Sequence, residues 1–87
     1  MSDPRTVAEL FGEEVKAERT HMEWTQAFVA TEAGISMRQL QNIESGKCDP
    51  HTTVSLSVAA VLHISVDKYR DQALQECRAK ASAKLAQ

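Results

Sequence analysis

Apolar positions recur at helical spacing along almost the whole chain. From residue 7 to residue 22 they fall three or four positions apart, and from 53 to 63 they cover most of a helical circumference. The first pattern predicts an amphipathic helix and the second a central core helix. Alternating patterns typical of strands are nearly absent, so we expect an all-α fold of about five helices.

The first predicted helix has two candidate starts. Asp3-Pro4 offers a cap followed by proline at the first helical position, and Thr6-x-x-Glu9 is a competing capping box. Arg19 falls on the apolar stripe of this helix, where an unpaired guanidinium is costly. Glu44, beside the buried face of a later helix, is the expected partner in a structural ion pair. The stripe itself consists of Val7, Leu10, Phe11, Val15 and Met22.

Two short helices follow with only three residues between them. The first has Thr25 as its cap and ends at Gly34, and the second has Ser36 as its cap and ends at Gly46. Because residues 34–36 leave room only for a sharp turn, the pattern predicts a helix-turn-helix across 25–46. A fourth helix is expected from about Thr53 to His63.

Ser65 predicts the cap of a fifth helix, extended at the C-terminus over about 66–85. Its first stripe is expected to face the core and comprises Val66, Tyr69, Ala73 and Cys77. A second stripe of Leu74, Ala81 and Leu85 would stay exposed in a monomer and is the predicted dimer interface. The alternative for the residues after Ala79 is a solvated, partly disordered tail.

The outward face of the third predicted helix carries chemistry suited to bases. Arg38, Gln41, Asn42 and Ser45 point away from Leu40 and Ile43 when placed at about 100° per residue. Arginine binds guanine through two hydrogen bonds, and asparagine or glutamine binds adenine in the same way. Met37, at the edge of the face, is placed to touch a thymine methyl. Ordinary polar surface residues are the alternative interpretation.

Phosphate-binding groups are expected on either side of that face. Small polar side chains and helix N-termini contact phosphates without net positive charge. The candidates are Thr25 and Gln26 before it, Lys47 just after it, and His51, Thr52 and Thr53 at the start of the fourth helix. The alternative is that His51 is an ordinary loop residue that does not contact DNA.

Charge and composition limit the function classes. The 87 residues suit one domain, 1–87, and the net charge of −2 is unfavourable for DNA binding. Six of the twelve acidic residues precede Trp24, which leaves the 25–47 segment close to neutral. We therefore expect moderate non-specific affinity, with more of the binding coming from base contacts and dimerisation.

Other function classes lack sequence support. The sequence contains neither a nucleophile with a base at recognisable spacing nor a glycine-rich phosphate loop. We therefore expect that the protein is not an enzyme and binds no cofactor. Cys48 and His51 have metal-like spacing, but a structural zinc needs four ligands, and no metal is expected. The first five residues do not resemble a signal peptide and no apolar run spans a bilayer, so the expected location is cytoplasmic, away from membranes.

The chain resembles the Cro/C1-type (XRE-type) helix-turn-helix family. The resemblance lies in the run from Trp24 to Ser36, in Leu40, in Ile43-Glu44-Ser45-Gly46-Lys47 and in Pro50. When the neighbouring helices are included, the resemblance covers about residues 7 to 70. The resemblance implies a five-helix, repressor-like domain with the second central helix in the major groove. In size the chain is similar to phage repressors, to controller proteins of restriction–modification systems, and to antitoxins.

The resemblance also implies roles for individual residues. By matching position it implies base or near-base contacts for Gln26, Met37, Arg38 and Asn42, with Gln41 as a further candidate, phosphate contacts for Thr25, Ser45 and Lys47, and the internal ion pair for Arg19 and Glu44. It further implies a homodimeric transcription regulator on an inverted-repeat DNA operator, with half-sites about 34 Å apart. The rival is a protein-interaction module or antitoxin with weak or no DNA binding. Control by a regulatory partner protein stays open.

Overall fold

Five α-helices and one short 3-10 turn make up the computed structural model, which describes residues 5–85 and the side chains of 5–79. The helices are α1 (Val7–His21), α2 (Gln26–Ala33), α3 (Met37–Glu44), α4 (Thr53–Leu62) and α5 (Arg70–Leu85), with the 3-10 turn at Asp67–Tyr69. The described part of the chain contains no strand. The all-α, five-helix prediction is therefore confirmed.

A hydroxyl side chain caps the N-terminus of each of the first four helices. The caps are Thr6, Thr25, Ser36 and Thr52, and each accepts a hydrogen bond from the backbone N–H three residues later. Such a bond satisfies one of the free donors at a helix start. Of the two starts considered for α1, the capping box of Thr6 and Glu9 is correct. Asp3 and Pro4 lie outside the described residues.

The same four helices end in Schellman motifs. In each motif an N–H two or three residues beyond the helix end donates to a carbonyl five residues earlier: Trp24 to Arg19, Ile35 to Ala30, Lys47 to Asn42 and Ile64 to Ala59, at 2.8–3.0 Å. In two of these motifs the residue in the left-handed conformation is a glycine, Gly34 or Gly46. In the other two motifs it is Glu23 or His63. The caps therefore fix the helix bounds at both ends.

The core lies among the first four helices. Phe11 and Val15 of α1, Leu40 and Ile43 of α3, and Val58 of α4 are completely buried. Val29 and Ala30 from α2 and Leu62 from α4 belong to the same cluster, while Leu10 and Met22 are only partly buried. Because α3 contributes one buried face to this core, its opposite face is left to solvent.

Gly12 allows α1 to lie directly on the end of α3. A Cβ at this position would overlap the carbonyl oxygen of Ile43 and lie 3.1 Å from the carbonyl oxygen of Glu44. The glycine is thus required by close approach of two backbones rather than by a turn. Gly46 lies in the same contact, since its φ is 81° and an added Cβ would lie 3.0 Å from the Cα of Glu9.

The C-terminal helix departs from the sequence prediction. It begins at Arg70 rather than near residue 66, because Asp67–Tyr69 form the 3-10 turn, and Ser65 is not its cap. Cys77 was expected to face the core but is exposed. Tyr69 is buried and packs edge-on against Phe11, with ring centroids 6.0 Å apart.

Polar contacts join α5 and its preceding turn to α1. Tyr69 Oη donates to Glu14, which also accepts from Lys68 Nζ. The Glu76 carboxylate accepts from the Val7 N–H at 3.1 Å, and Gln72 donates to the Arg5 carbonyl oxygen at 3.0 Å. Burial, followed by the hydrogen bond to Glu14 and the charge of Glu14, raises the pKa of the Tyr69 phenol above its ordinary value.

None of the described helices is both long enough and apolar enough to cross a membrane.

Candidate nucleic-acid interface

The outward face of α3 carries the predicted base-reading side chains. Arg38 and Gln41 are exposed and Asn42 is half-buried, whereas Leu40 and Ile43 on the opposite face are fully buried. Met37, at the first helical position, keeps 42% of its surface exposed. The three planar polar groups therefore share one solvent-facing side of a short, capped helix. Ser45 lies just beyond the helix, where its hydroxyl donates to the Asn42 carbonyl at 3.0 Å.

The first turn of α2 is tied to the end of α3. The hydroxyl of Thr25 accepts from the Phe28 N–H at 3.1 Å. Gln26 is half-buried, and its amide nitrogen donates to Glu44 Oε1 at 3.2 Å. Sequence reasoning placed Gln26 against DNA but missed its bond to Glu44, because residues 18 positions apart carry no local spacing signal.

Arg19 and Glu44 form a double hydrogen bond between α1 and α3. Arg19 Nε lies 2.7 Å from Glu44 Oε2, and Arg19 Nη2 lies 3.1 Å from Glu44 Oε1. Only 15% and 6% of the two side chains remain exposed. The remaining Arg19 nitrogen donates to the Trp24 carbonyl at 3.1 Å, directly before the cap of α2. The structure therefore brings this predicted pair together and adds a backbone contact.

This ion pair changes the charge balance of the face. Between residues 25 and 47 the acids are Glu32 and Glu44 and the bases are Arg38 and Lys47. Since Arg19, from outside the segment, neutralises Glu44, the segment has a small positive excess instead of none. This excess is much smaller than that of a strongly basic DNA-binding surface.

The segment after α3 holds the remaining predicted phosphate contacts. Lys47 is exposed and follows Gly46, while Thr52 is the cap of α4 and Thr53 its exposed first residue. His51 is exposed, and its backbone N–H donates to the Asp49 carboxylate at 2.7 Å. The sequence reasoning placed Asp49 in a turn and gave it no part in this site, but its exposed carboxylate is unfavourable beside a phosphate.

Comparison with known proteins identifies the arrangement. A helix-turn-helix family model matches residues 15–69, which is more than half of the chain. The chain belongs to the Cro/C1-type helix-turn-helix family. Neither a curated protein nor a solved structure gives a significant match.

Membership of the Cro/C1-type family makes the chain a DNA-binding regulator of the XRE type. The match contains α2, α3 and α4 entirely, together with the end of α1 that carries Arg19. It stops at Tyr69, one residue before α5 begins. The family is a DNA-binding regulatory domain and not an enzyme family.

Cys48 and His51 do not form part of a metal cluster in the described residues. Cys48 is half-buried against the core, and His51 is paired with Asp49. Within residues 5–79, no three His, Cys, Asp or Glu side chains come together in a way that would hold a metal ion.

Proposed function

We propose that this Cro/C1-type protein is a sequence-specific transcription regulator that binds an inverted-repeat operator as a homodimer. The observation that carries the proposal is the common outward direction of Arg38, Gln41 and Asn42 on α3. Their planar groups suit the major-groove edges of guanine and adenine. Caps at both ends and a buried opposite face hold α3 in position, which keeps these groups preorganised for binding.

We assign contacts with the DNA phosphate backbone to the segments that flank α3. Thr25 caps α2 and Gln26 is its first residue, Ser45 and Lys47 follow α3, and residues 51–53 lead into α4. Helix starts present free N–H groups and a partial positive charge to a phosphate oxygen. This mode of binding needs few basic side chains, which suits a chain with a net charge of −2. We expect correspondingly weak binding to random duplexes.

Dimerisation is assigned to α5. Leu74 is 48% exposed. The hydrogen bonds that tie α5 to the start of α1 lie in the first half of α5, where Glu76 accepts from the Val7 N–H and Gln72 donates to the Arg5 carbonyl. A single helix that projects with little cover is marginal in water, so a second copy of α5 would stabilise it. The predicted interface comprises Leu74, Ala81 and Leu85, of which the last two have side chains outside the described residues.

Selection of bound duplexes from a random pool tests the proposal. The expected product is an inverted repeat whose half-sites are separated by about one helical turn, roughly 34 Å. A single half-site without symmetry would contradict the homodimer, and no enrichment would contradict sequence-specific binding. Sedimentation of the free protein at the same concentration shows whether the dimer forms before DNA is bound.

A protein-interaction module is the second candidate. Phe28 on α2 is 37% exposed and packs edge-on against Trp24, with ring centroids 5.0 Å apart. An exposed aromatic ring that is supported by a half-buried one is typical of the centre of a protein interface. This candidate predicts that Phe28→Ala leaves duplex binding unchanged but abolishes binding of the partner. The first candidate predicts the reverse pattern for Arg38→Ala.

A further inference from the structure

An exposed aromatic ring lies on the outer side of α2. Phe28 keeps 37% of its surface exposed, although the next two residues, Val29 and Ala30, are buried in the core. The ring packs edge-on against half-buried Trp24, with the two ring centroids 5.0 Å apart. The indole therefore supports a phenyl ring whose exposed side is not used by the fold.

Two acidic side chains border these rings. Glu23 immediately precedes Trp24, and Glu32 lies four residues after Phe28, which places it on the same face of α2. Both residues are exposed, and among residues 5–79 neither carboxylate has a hydrogen-bond or ion-pair partner. We call Glu23, Trp24, Phe28 and Glu32 the acidic aromatic surface.

The chain around this surface supplies no lysine or arginine to offset its charge. Residues 20 to 37 contain neither residue type, and the one histidine among them is His21. Arg19 donates to the Trp24 carbonyl at 3.1 Å, but its charge is neutralised by Glu44. The acidic aromatic surface is therefore apolar at its centre and negative at its edge, so it complements a segment that is both apolar and positive.

The backbone at Glu23 supports a role for its carboxylate. Glu23 closes α1 at a φ of 60°, a conformation that glycine adopts without the Cβ penalty of other residues. A carboxylate thus occupies a position where glycine would be less strained. Because strained residues cluster at sites that bind ligands, this observation favours a binding role for the edge of the surface.

We propose that the acidic aromatic surface docks a protein segment in which an apolar side chain is flanked by lysine or arginine. In this complex the apolar side chain packs on Phe28 and Trp24, and the basic side chains pair with Glu23 and Glu32. The inference rests on the second candidate function and deepens it by naming the chemistry of the partner. It depends on the outer side of α2 and not on base reading by α3.

Selection from random peptides displayed on phage, with the full chain as the immobilised target, tests the chemistry of the partner. We expect the enriched peptides to combine a bulky apolar residue with lysine or arginine. Enrichment should disappear on Phe28→Ser and persist on Leu56→Ser, the control that removes a 43% exposed apolar side chain from α4. No enrichment, enrichment without basic residues, or equal enrichment on both variants would overturn the proposal.

Trp24 reports docking directly because it is the only tryptophan of the chain. When an enriched peptide that lacks tryptophan is titrated into the full chain, we expect a saturable blue shift, since docking removes water from the indole. Phe28→Ala should weaken binding at least about tenfold. Glu23→Gln and Glu32→Gln should each weaken it roughly 1.5- to 5-fold and reduce its salt dependence. Asp71→Asn, at an exposed position of α5, is the charge-matched control and should bind like the wild type.

Glu23→Gly separates binding from folding. This variant should unfold at a higher temperature than the wild type, because it removes the Cβ penalty at a positive φ. It should nevertheless bind the peptide as weakly as Glu23→Gln, an effect that a merely structural role of Glu23 does not produce. Wild-type affinity in both Glu23→Gly and Glu32→Gln would overturn the proposed charge complementarity.

These tests use no DNA, so the two proposals fail separately. Operator selection that yields an inverted repeat, without any enriched peptide, overturns the docking surface alone. Peptide enrichment without enrichment of any duplex overturns sequence-specific DNA binding and supports the docking surface. Thermal unfolding shows that each variant is folded at the temperature used. If the variants of Phe28 fail to fold, Glu23→Gly and Glu32→Gln decide the question.

Discussion

The four-helix body and the C-terminal helix are held in opposite ways. Residues 7–64 bury a continuous apolar core, in which Phe11, Leu40 and Ile43 are fully enclosed, and every helix is capped at both ends. The turn and helix at 67–85 bury only Tyr69 among their described side chains and are attached to α1 mainly by polar contacts. The chain therefore fixes α2 and α3 by itself, whereas α5 keeps the exposed surface at Leu74 that the proposed dimer would cover.

The largest expected effect comes from breaking the Arg19–Glu44 pair in the body. Arg19→Met leaves an almost buried carboxylate without its cation and should lower the free energy of unfolding by about 2–4 kcal/mol. The double variant Arg19→Met/Glu44→Leu should recover most of this loss, because it removes the stranded charge. Urea unfolding at one protein concentration measures both. A double variant as unstable as the sum of the single changes would contradict this account.

Gly12→Ala tests the close packing of α1 on α3. The added Cβ overlaps the Ile43 carbonyl, so we expect a loss of roughly 1–3 kcal/mol despite the better helix propensity of alanine. The control is Gly34→Ala, where the Cβ meets open space and only the positive φ is unfavourable, at about 1 kcal/mol. Urea unfolding that showed a stabilised Gly12→Ala variant would mean that the two helices lie further apart.

Leu74→Glu tests the dimer contact that we propose for α5. Leu74 is exposed in the single chain, so the fold should persist while the dimer dissociates at least about tenfold more readily, the equivalent of about 1.4 kcal/mol of lost burial. Gln75→Glu adds the same charge at the next exposed position, off the apolar stripe, and should leave the dimer intact. Sedimentation velocity across a dilution series provides the measurement. Equal dissociation of both variants would move the interface away from α5.

His63→Gly gives the smallest effect and has the opposite sign. His63 closes α4 at a φ of 57°, a conformation that glycine adopts without a Cβ penalty. We expect a gain of about 0.5–1 kcal/mol in thermal unfolding. Ala60→Gly, at an exposed position in the last turn of α4, should instead lose up to about 1 kcal/mol. If both changes stabilised or both destabilised the protein, the assignment of the cap would be wrong.

Local chemistry explains how much of the fold could be predicted from the sequence. Thr25, Gly34 and Ser36 determine helix bounds through their own side chains or backbone conformations, and these bounds were predicted closely. His63 and Glu23 end helices without any such signature, because a left-handed residue other than glycine is stabilised by the hydrogen bonds around it. The start of α5 was misplaced because Ser65 resembles a cap while the following residues form a 3-10 turn.

The candidate site was only partly predictable because much of it depends on distant residues. The outward face of α3 follows from helical periodicity alone. The bond from Gln26 to Glu44, the close contact at Gly12 and the exposure of Cys77 depend on how separate helices pack, which spacing along the chain does not encode. The Arg19–Glu44 pair could be predicted because a charged residue on an apolar stripe requires a partner of opposite charge.

The central claim is that α3 reads bases through its outward side chains, and Arg38→Ala tests it most directly. Affinity is measured on the selected operator and on three duplexes that carry the other base pairs at the preferred position. The account predicts a loss of roughly 1–3 kcal/mol on the preferred base pair and little change on the others. An equal loss on all four duplexes, or no loss on any, would contradict it.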